Sequence, residues 1–360
     1  MRSVAQHHLA LSVLAMMRDG LVPGLSLAVA NRDGIVFADG FGHADLAAGT
    51  PATPDTSYLW FSMSKIVTAT AAMRLVDEGR LDPDAPITEY VAWPPDRPGA
   101  APTMRQLLTH TGGLANPMPL RWVHAATDPA VDQAAMLRRL LHSRWVVGRP
   151  TAPRARYSNV GYLAAAHVIA AAARTPFERY VHTAILQPAG MSATGFTYGE
   201  APPATGYVRI PRIADPLLRL AIPAALLGPR HGRHRALRPF HVDGAGYGGL
   251  VGPVLDVSRL LRLHLDAGEI DGHRILSAEA IRSMQAITAH GRRLDHAVGW
   301  FRRRADSDDE YLEHFGAGAG FWNVMRIYPQ RGIGIAAMAN TTSPYRFQPL
   351  FHDLARADWT

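Results

Sequence analysis

Cysteine is absent from the 360 residues, which excludes disulfides, thiolate metal sites, iron–sulfur centres and a cysteine nucleophile together. Lysine is almost absent too: all but one of the 37 basic residues are arginine, the exception being Lys65. No stretch approaches the roughly 18 uninterrupted apolar residues that a membrane span needs. The opening segment, MRSVAQHHLALSVLAMMRDG, lacks the cationic, apolar, small-residue order of an export signal, so the expectation is a cytoplasmic protein with no membrane span. What is present is ample apolar material, 48% hydrophobic against 19% charged residues, over a length that implies one large or two intimate domains.

The lone lysine poses a question. Arginine stays protonated at any workable pH, whereas a buried or crowded lysine gives up its proton. Where arginine has served almost everywhere else, Lys65 is a candidate proton acceptor, with chance survival as the plain alternative. The net charge of +7 suits anionic partners in general. Its densest cluster, Arg230, Arg233, Arg235 and Arg238, sits in a Pro/Gly-rich stretch without interleaved aromatics, which reads as a solvated loop and not as a nucleic-acid site. His231 and His234 have no further ligand placed to complete a metal site, so neither a metal nor a cofactor is expected.

Periodicity predicts a helix over 3–19, then two strands, 24–30 and 35–42, joined by the tight turn NRDG. Helices are expected at 62–79, closing at Gly79, and at 103–109, 130–143 and 158–173, followed by an irregular region over 200–245. That region holds an apolar island, 217–228, which reads equally well as an acyl pocket or as ordinary packing. Helices return at 254–266 and 277–288, strands at 297–303, 311–315, 321–328 and 332–339, and a last helix at 346–357. A hairpin alone is barely stable, so the early strands should join the late ones in one antiparallel sheet. The expected fold is α+β: an antiparallel sheet flanked by helices on both faces, built from 1–61 and 240–360, with an inserted helical lobe, 62–239. The site for chemistry then falls in the cleft between them.

Three short motifs carry chemistry. In Phe61-Ser62-Met63-Ser64-Lys65, Ser62 and Lys65 stand three apart at a helix start and share a face. A serine hydroxyl is a weak nucleophile until a base takes its proton, and a lysine of depressed pKa is such a base. The helix N-terminus is expected to help lower that pKa and to favour an oxyanion. Ser64 points to another face and reads as a helix-start hydroxyl. Tyr157-Ser158-Asn159 offers a phenol for proton relay and an amide with donor and acceptor, although a helix N-cap explains the triplet as well. His314-Phe315-Gly316-Ala317-Gly318 is a run of small residues that permits close backbone approach by a ligand or makes a glycine-rich turn. Leu107–Leu114, LLTHTGGL, reads as a helix C-cap.

In this order the motifs resemble those of the class C β-lactamase and penicillin-binding-protein superfamily of serine hydrolases: S-x-x-K (Ser62, Lys65), Y-x-N (Tyr157, Asn159), and H-x-G (His314, Gly316) where β-lactamases have K-T-G. Further echoes are LLTHTGGL, YSNVGYLAAAHVI at 157–169 and GYGGLVGPVLDVSRLLRL at 246–263. The resemblance implies the β-lactamase/transpeptidase-like fold and an acyl-enzyme on Ser62. It implies that Lys65 and Tyr157 share general-base and general-acid duties and that Asn159 orients substrate or lysine. The oxyanion hole would be the backbone N–H groups of Ser62 and Ala317, with His314 and Gly316 among the substrate-binding residues. Histidine in place of the third-motif lysine is a weak anchor for a carboxylate, which argues for at most weak β-lactamase activity. The expectation is a carboxylesterase or acyl transferase on a small ester or thioester. The alternatives are an amide-forming transacylase or thioesterase served by an acyl or peptidyl carrier protein, and a D-amino-acid peptidase or amidase.

Overall fold

The computed structural model describes residues 4–94, 100–117, 122–143, 145–200, 203–303 and 310–359; the first residue predicted helical, Ser3, lies outside them. The strands that matter here are β1 (Gly24–Ala30), β2 (Ile35–Asp45), β3 (Thr50–Pro51), β4 (Ala289–His290), β5 (Leu294–His296), β6 (Phe301–Arg303), β7 (Leu312–Gly318), β8 (Phe321–Tyr328) and β9 (Ile333–Ala339). They form one nine-stranded sheet in the order β4-β5-β6-β7-β8-β9-β1-β2-β3, antiparallel at every pairing. The early hairpin does join the late strands. Its NRDG turn is closed by Asn31, whose side-chain oxygen accepts from the N–H groups of Asp33 and Gly34, both at 2.9 Å.

The central strands β1 and β9 are buried at every residue. Both faces are therefore covered, and the sequence there is a nearly continuous apolar run instead of an alternating one. Alternate residues go to opposite faces: Leu25, Leu27 and Val29 pack with Val13, Met16 and Met17 of α1 (Val4–Gly20) and with Phe351 and Leu354 of the C-terminal helix Gln348–Arg356. On the other face Ala28 joins the larger core. That core contains α2 (Ser64–Asp77), α3 (Asn159–Ala173) and α4 (Val254–Leu265). It runs without a break from helical residues to sheet residues such as Met325 and Met338. Helix α2 is buried around almost its whole circumference, as befits a helix with little amphipathicity, and Gly79 follows it in the left-handed conformation (φ +65°) of a C-terminal cap.

Several elements differ from expectation. The stretch 200–245 is not irregular: Tyr207–Arg209, Leu227–His231 and His234–Leu237 form a three-stranded sheet, closed by a turn at Gly232 (φ +58°). Interspersed prolines and glycines hide its alternation. Arg230 and Arg235, expected in a solvated loop, sit on this ribbon and pair with Asp215. A further two-stranded ribbon pairs Val123–Ala125 with Phe240–Val242, across the boundary expected at 239. The strand predicted over 297–303 is confined to Phe301–Arg303, and the glycine run after His314 is strand as far as Gly318, with the turn delayed to Gly320 (φ +79°).

Candidate active site

Ser62 occupies a single 3-10 turn, Phe61–Met63, that leads into α2. The preceding residue, Phe61, has a left-handed backbone (φ +47°), a conformation that costs a bulky residue on the order of 1–3 kcal/mol and persists only where its surroundings enforce it. The enforcing contacts are visible. The Trp60 N–H donates to the Leu250 carbonyl at 2.8 Å, its indole N–H to Gly252 at 3.2 Å, and Asn323 of β8 donates to the Leu59 carbonyl at 2.8 Å. Ser64 is the first residue of α2, as expected; it is buried, and its Oγ accepts from the Leu250 N–H at 3.2 Å.

Ser62 is flanked by two proton-bearing groups. The Tyr157 hydroxyl donates to Ser62 Oγ at 2.7 Å, and Lys65 Nζ lies 3.0 Å from the same oxygen. Lys65 is fully buried. Its Nζ also meets Asn159 Oδ1 at 2.9 Å and the Tyr247 carbonyl at 2.9 Å, under the rings of Tyr157, Tyr162 and Tyr247 at 4.9, 5.4 and 5.6 Å. Burial holds its pKa well below the ordinary lysine value. Desolvation is thus the cause on which the shift rests. Removal from water pushes the Tyr157 phenol up, against the opposing hydrogen bond to Ser62.

The Tyr-Ser-Asn triplet is held from two sides. Ser158 caps α3, accepting from the Gly161 N–H at 2.8 Å. His110 Nδ1 accepts from the Ser158 N–H at 3.1 Å, and its ring lies 4.5 Å from that of Tyr157. His110, in the left-handed conformation (φ +61°), comes from the LLTHTGGL segment, which reads as a helix end and echoes the family pattern without marking His110 itself. Asn116 adds an acceptor for the Asn159 N–H at 2.7 Å. Neither His110, Asn116 nor the Tyr247 carbonyl was marked by spacing, because each acts through the fold.

The third motif is brought to the nucleophile by its glycines. A Cβ on Gly316 would stand 2.0 Å from the Trp60 carbonyl oxygen, and one on Gly318 would stand 2.1 Å from the Phe61 ring. Ala317, between them, is exposed to the cleft and lines it together with Ser62 and Asn159. His314 is placed differently from a substrate anchor: it is 1% exposed, its Nδ1 is 2.8 Å from the Phe315 carbonyl, and its Nε2 has no hydrogen-bond partner among the described residues. Burial, with Lys65 nearby, holds it well below the ordinary imidazole value, so it is neutral.

The cleft above Ser62 has a volume of about 420 Å³. Its walls include Val123 and Val242 of the two-stranded ribbon, Trp122 directly before the first ribbon strand, and Leu218 and Ile222 of the apolar island. Among the described residues that line it, none is charged. The described residues contain no group of three or more histidine and acidic side chains arranged for a metal ion, nor a helix long and apolar enough to cross a membrane.

A nine-stranded antiparallel sheet, a buried helix that begins beside a serine, and a strand pressed against that turn define the β-lactamase fold of serine hydrolases. Residues 10–356 match the Beta-lactamase family, and the chain belongs to it. Protein Rv1367c of Mycobacterium tuberculosis is 29% identical over 92% of this chain and 78% of its own length. Among solved structures, EstCE1, described as a hydrolase with promiscuous acyltransferase activity, superimposes with a TM-score of 0.76 at 20% identity, covering 99% of this chain and 100% of its own. The D-amino acid amidase of Ochrobactrum anthropi, complexed with D-phenylalanine, gives 0.76 at 24% identity over 97% of each chain.

Proposed function

We propose that the protein is a serine hydrolase that forms an acyl-enzyme on Ser62 and acts as a carboxylesterase or acyl transferase on a small ester or thioester with an uncharged, apolar acyl group. The observation that carries this reading is the position of Ser62 Oγ within hydrogen-bonding distance of both Lys65 Nζ and the Tyr157 hydroxyl, at 3.0 and 2.7 Å, in a cleft whose described lining residues are uncharged.

The roles follow from what each atom is able to do. Asn159 Oδ1 and the Tyr247 carbonyl only accept, so a neutral Lys65 gives both of its N–H groups to them and turns its lone pair toward Ser62. Ser62 passes its proton to that lone pair as Oγ bonds to the acyl carbon. The carbonyl oxygen takes up charge facing the N–H groups of Ser62 and Ala317. Collapse breaks the bond to the leaving oxygen or sulfur, and the proton returns from the Lys65 ammonium with the Tyr157 hydroxyl as relay. Water, an alcohol or an amine then enters by the same steps in reverse.

Among the described residues, the neutral, buried His314 and the uncharged lining of the cleft offer a substrate carboxylate no cation, which supports esters over β-lactams. The EstCE1 likeness supports the same reading. Thioesters of an acyl or peptidyl carrier protein, aminolysis, and D-amino-acid amides share the acyl-enzyme and differ in donor and acceptor. A fluorophosphonate probe should label the wild type and leave Ser62→Ala unlabelled; labelling that survives would reject Ser62. A panel of p-nitrophenyl esters of graded chain length, with nitrocefin, D-alanyl amides and thioesters beside them, then ranks the substrates. Faster turnover of nitrocefin or of charged amides than of any ester would overturn the ester reading.

A further inference from the structure

One wall of the cleft presents an apolar face to solvent as well. Leu218 and Ile222, each 7% exposed, line the cleft that holds Ser62. Ile213, Leu217 and Leu220 lie four and three residues apart, on one side of the turn Arg212–Ala214 and the helix Asp215–Ala221, and are 91%, 62% and 65% exposed. Single exposed apolar residues are commonplace, whereas three on one face beside a ligand cleft are not. Arg212 and Arg219 adjoin them in the same turn and helix, Arg209 ends the strand just before, and all three are exposed. Asp215, the one acidic residue between 203 and 226, is turned to Arg230 and Arg235.

We propose that this face docks on an anionic lipid surface and sets the mouth of the cleft against the lipid phase. The charge pattern selects the partner: an apolar face with a rim of arginines complements acidic headgroups over hydrocarbon. A second copy is a poorer occupant, since a two-fold contact of this face would bring like-charged rims together. The chemistry of the cleft agrees, because an ester whose acyl part suits uncharged walls partitions into lipid. The purpose of the docking rests on the proposed acyl-transfer reading; the docking itself does not.

Flotation of the full chain with phosphatidylglycerol vesicles and with phosphatidylcholine vesicles tests it. Binding to the anionic vesicles should exceed that to the neutral ones about tenfold or more at low salt and fall as salt rises. The triple variant Ile213→Ser, Leu217→Ser, Leu220→Ser should lose about tenfold or more in vesicle binding and in hydrolysis of a long-chain ester carried in the vesicles. Its hydrolysis of p-nitrophenyl acetate and its melting temperature should match the wild type, which separates lost docking from lost folding. Absence of wild-type flotation, or equal flotation of the triple variant, overturns the proposal. So does a dimer in sedimentation velocity that the triple substitution dissolves, which would assign the face to a second copy. Ser62→Ala should still float, so failure of the acyl-enzyme reading leaves its own mark.

Discussion

Gly316 and Trp60 approach so closely that a methyl group on the glycine would lie 2.0 Å from the tryptophan carbonyl oxygen. The nucleophile turn and β7 are therefore seated backbone against backbone. Gly316→Ala has to push the strand outward and carry the Ala317 N–H away from Ser62. If that N–H is the proposed oxyanion donor, its loss corresponds to about 10²–10³-fold in turnover, and that is the expected fall in kcat/KM for a p-nitrophenyl ester. Urea unfolding should show a stability loss of about 1–3 kcal/mol from overpacking. Near-normal kinetics would mean that the close approach has no part in the chemistry.

On the proposed mechanism, Lys65 titration sets the acid limb of activity. If its base form is the active one, then since burial lowers its pKa, kcat/KM should rise with pH through a midpoint well below the ordinary 10.5. The same shift has a stability consequence. Between the folded and unfolded pKa values the unfolded chain binds one more proton, so stability increases with pH across that window. Lys65→Met removes this penalty: it should abolish ester hydrolysis while raising the melting temperature at neutral pH. Lys65→Arg should be equally inactive, because a guanidinium does not accept the proton. An active arginine variant would eliminate the lysine as base.

Tyr157→Phe deletes the hydroxyl that donates to Ser62 and keeps the ring that lies on His110. Activity should fall about 10²–10⁴-fold with little change in melting temperature. Since removal from water pushes the phenol up, the wild type should show no alkaline loss attributable to Tyr157 until pH exceeds the ordinary tyrosine value of 10.0.

Acid should destabilise the protein before its carboxylates protonate. Burial depresses His264 to about 3 and His296 to about 4, from 6.5. The unfolded chain therefore takes up protons first as pH drops through 6.5, and each such proton removes about 1.4 kcal/mol per pH unit. Melting curves between pH 7 and 4.5 should show this slope, and it should be shallower in His264→Asn.

Glu313 and Arg326 are paired at 2.6 Å on neighbouring strands, 0% and 3% exposed, with the guanidinium 3.8 Å from the Tyr311 ring. Arg326→Ala leaves a carboxylate buried without its main partner and should cost about 3–5 kcal/mol, read by urea unfolding. The double variant Glu313→Leu, Arg326→Met should recover most of that loss.

The sheet strands and most helices were legible in the sequence because burial follows period: β1 and β9 read as apolar runs, and Ser158 and Gly79 mark real helix ends. Ser62 and Lys65 were legible because a helix places residues three apart together whatever the remainder of the chain does. The sheet at 207–237 was hidden by its prolines and glycines. His110, Asn116 and Tyr247 were hidden for another reason: they reach the site across long sequence separations, such as the 182 residues between Lys65 and Tyr247. The orientation of His314, inward on β7, follows from strand register, which a triplet motif does not reveal.

Those separations bear on biosynthesis. A ribosome-tethered fragment ending before residue 240 holds the serine, the amine and the phenol. It lacks the Tyr247 carbonyl that fixes the amine, the Leu250 carbonyl that pins Trp60, and the whole of β7. On the proposed mechanism, the groups that hold the serine and the amine in register are therefore all in place only after the C-terminal third of the chain has been made.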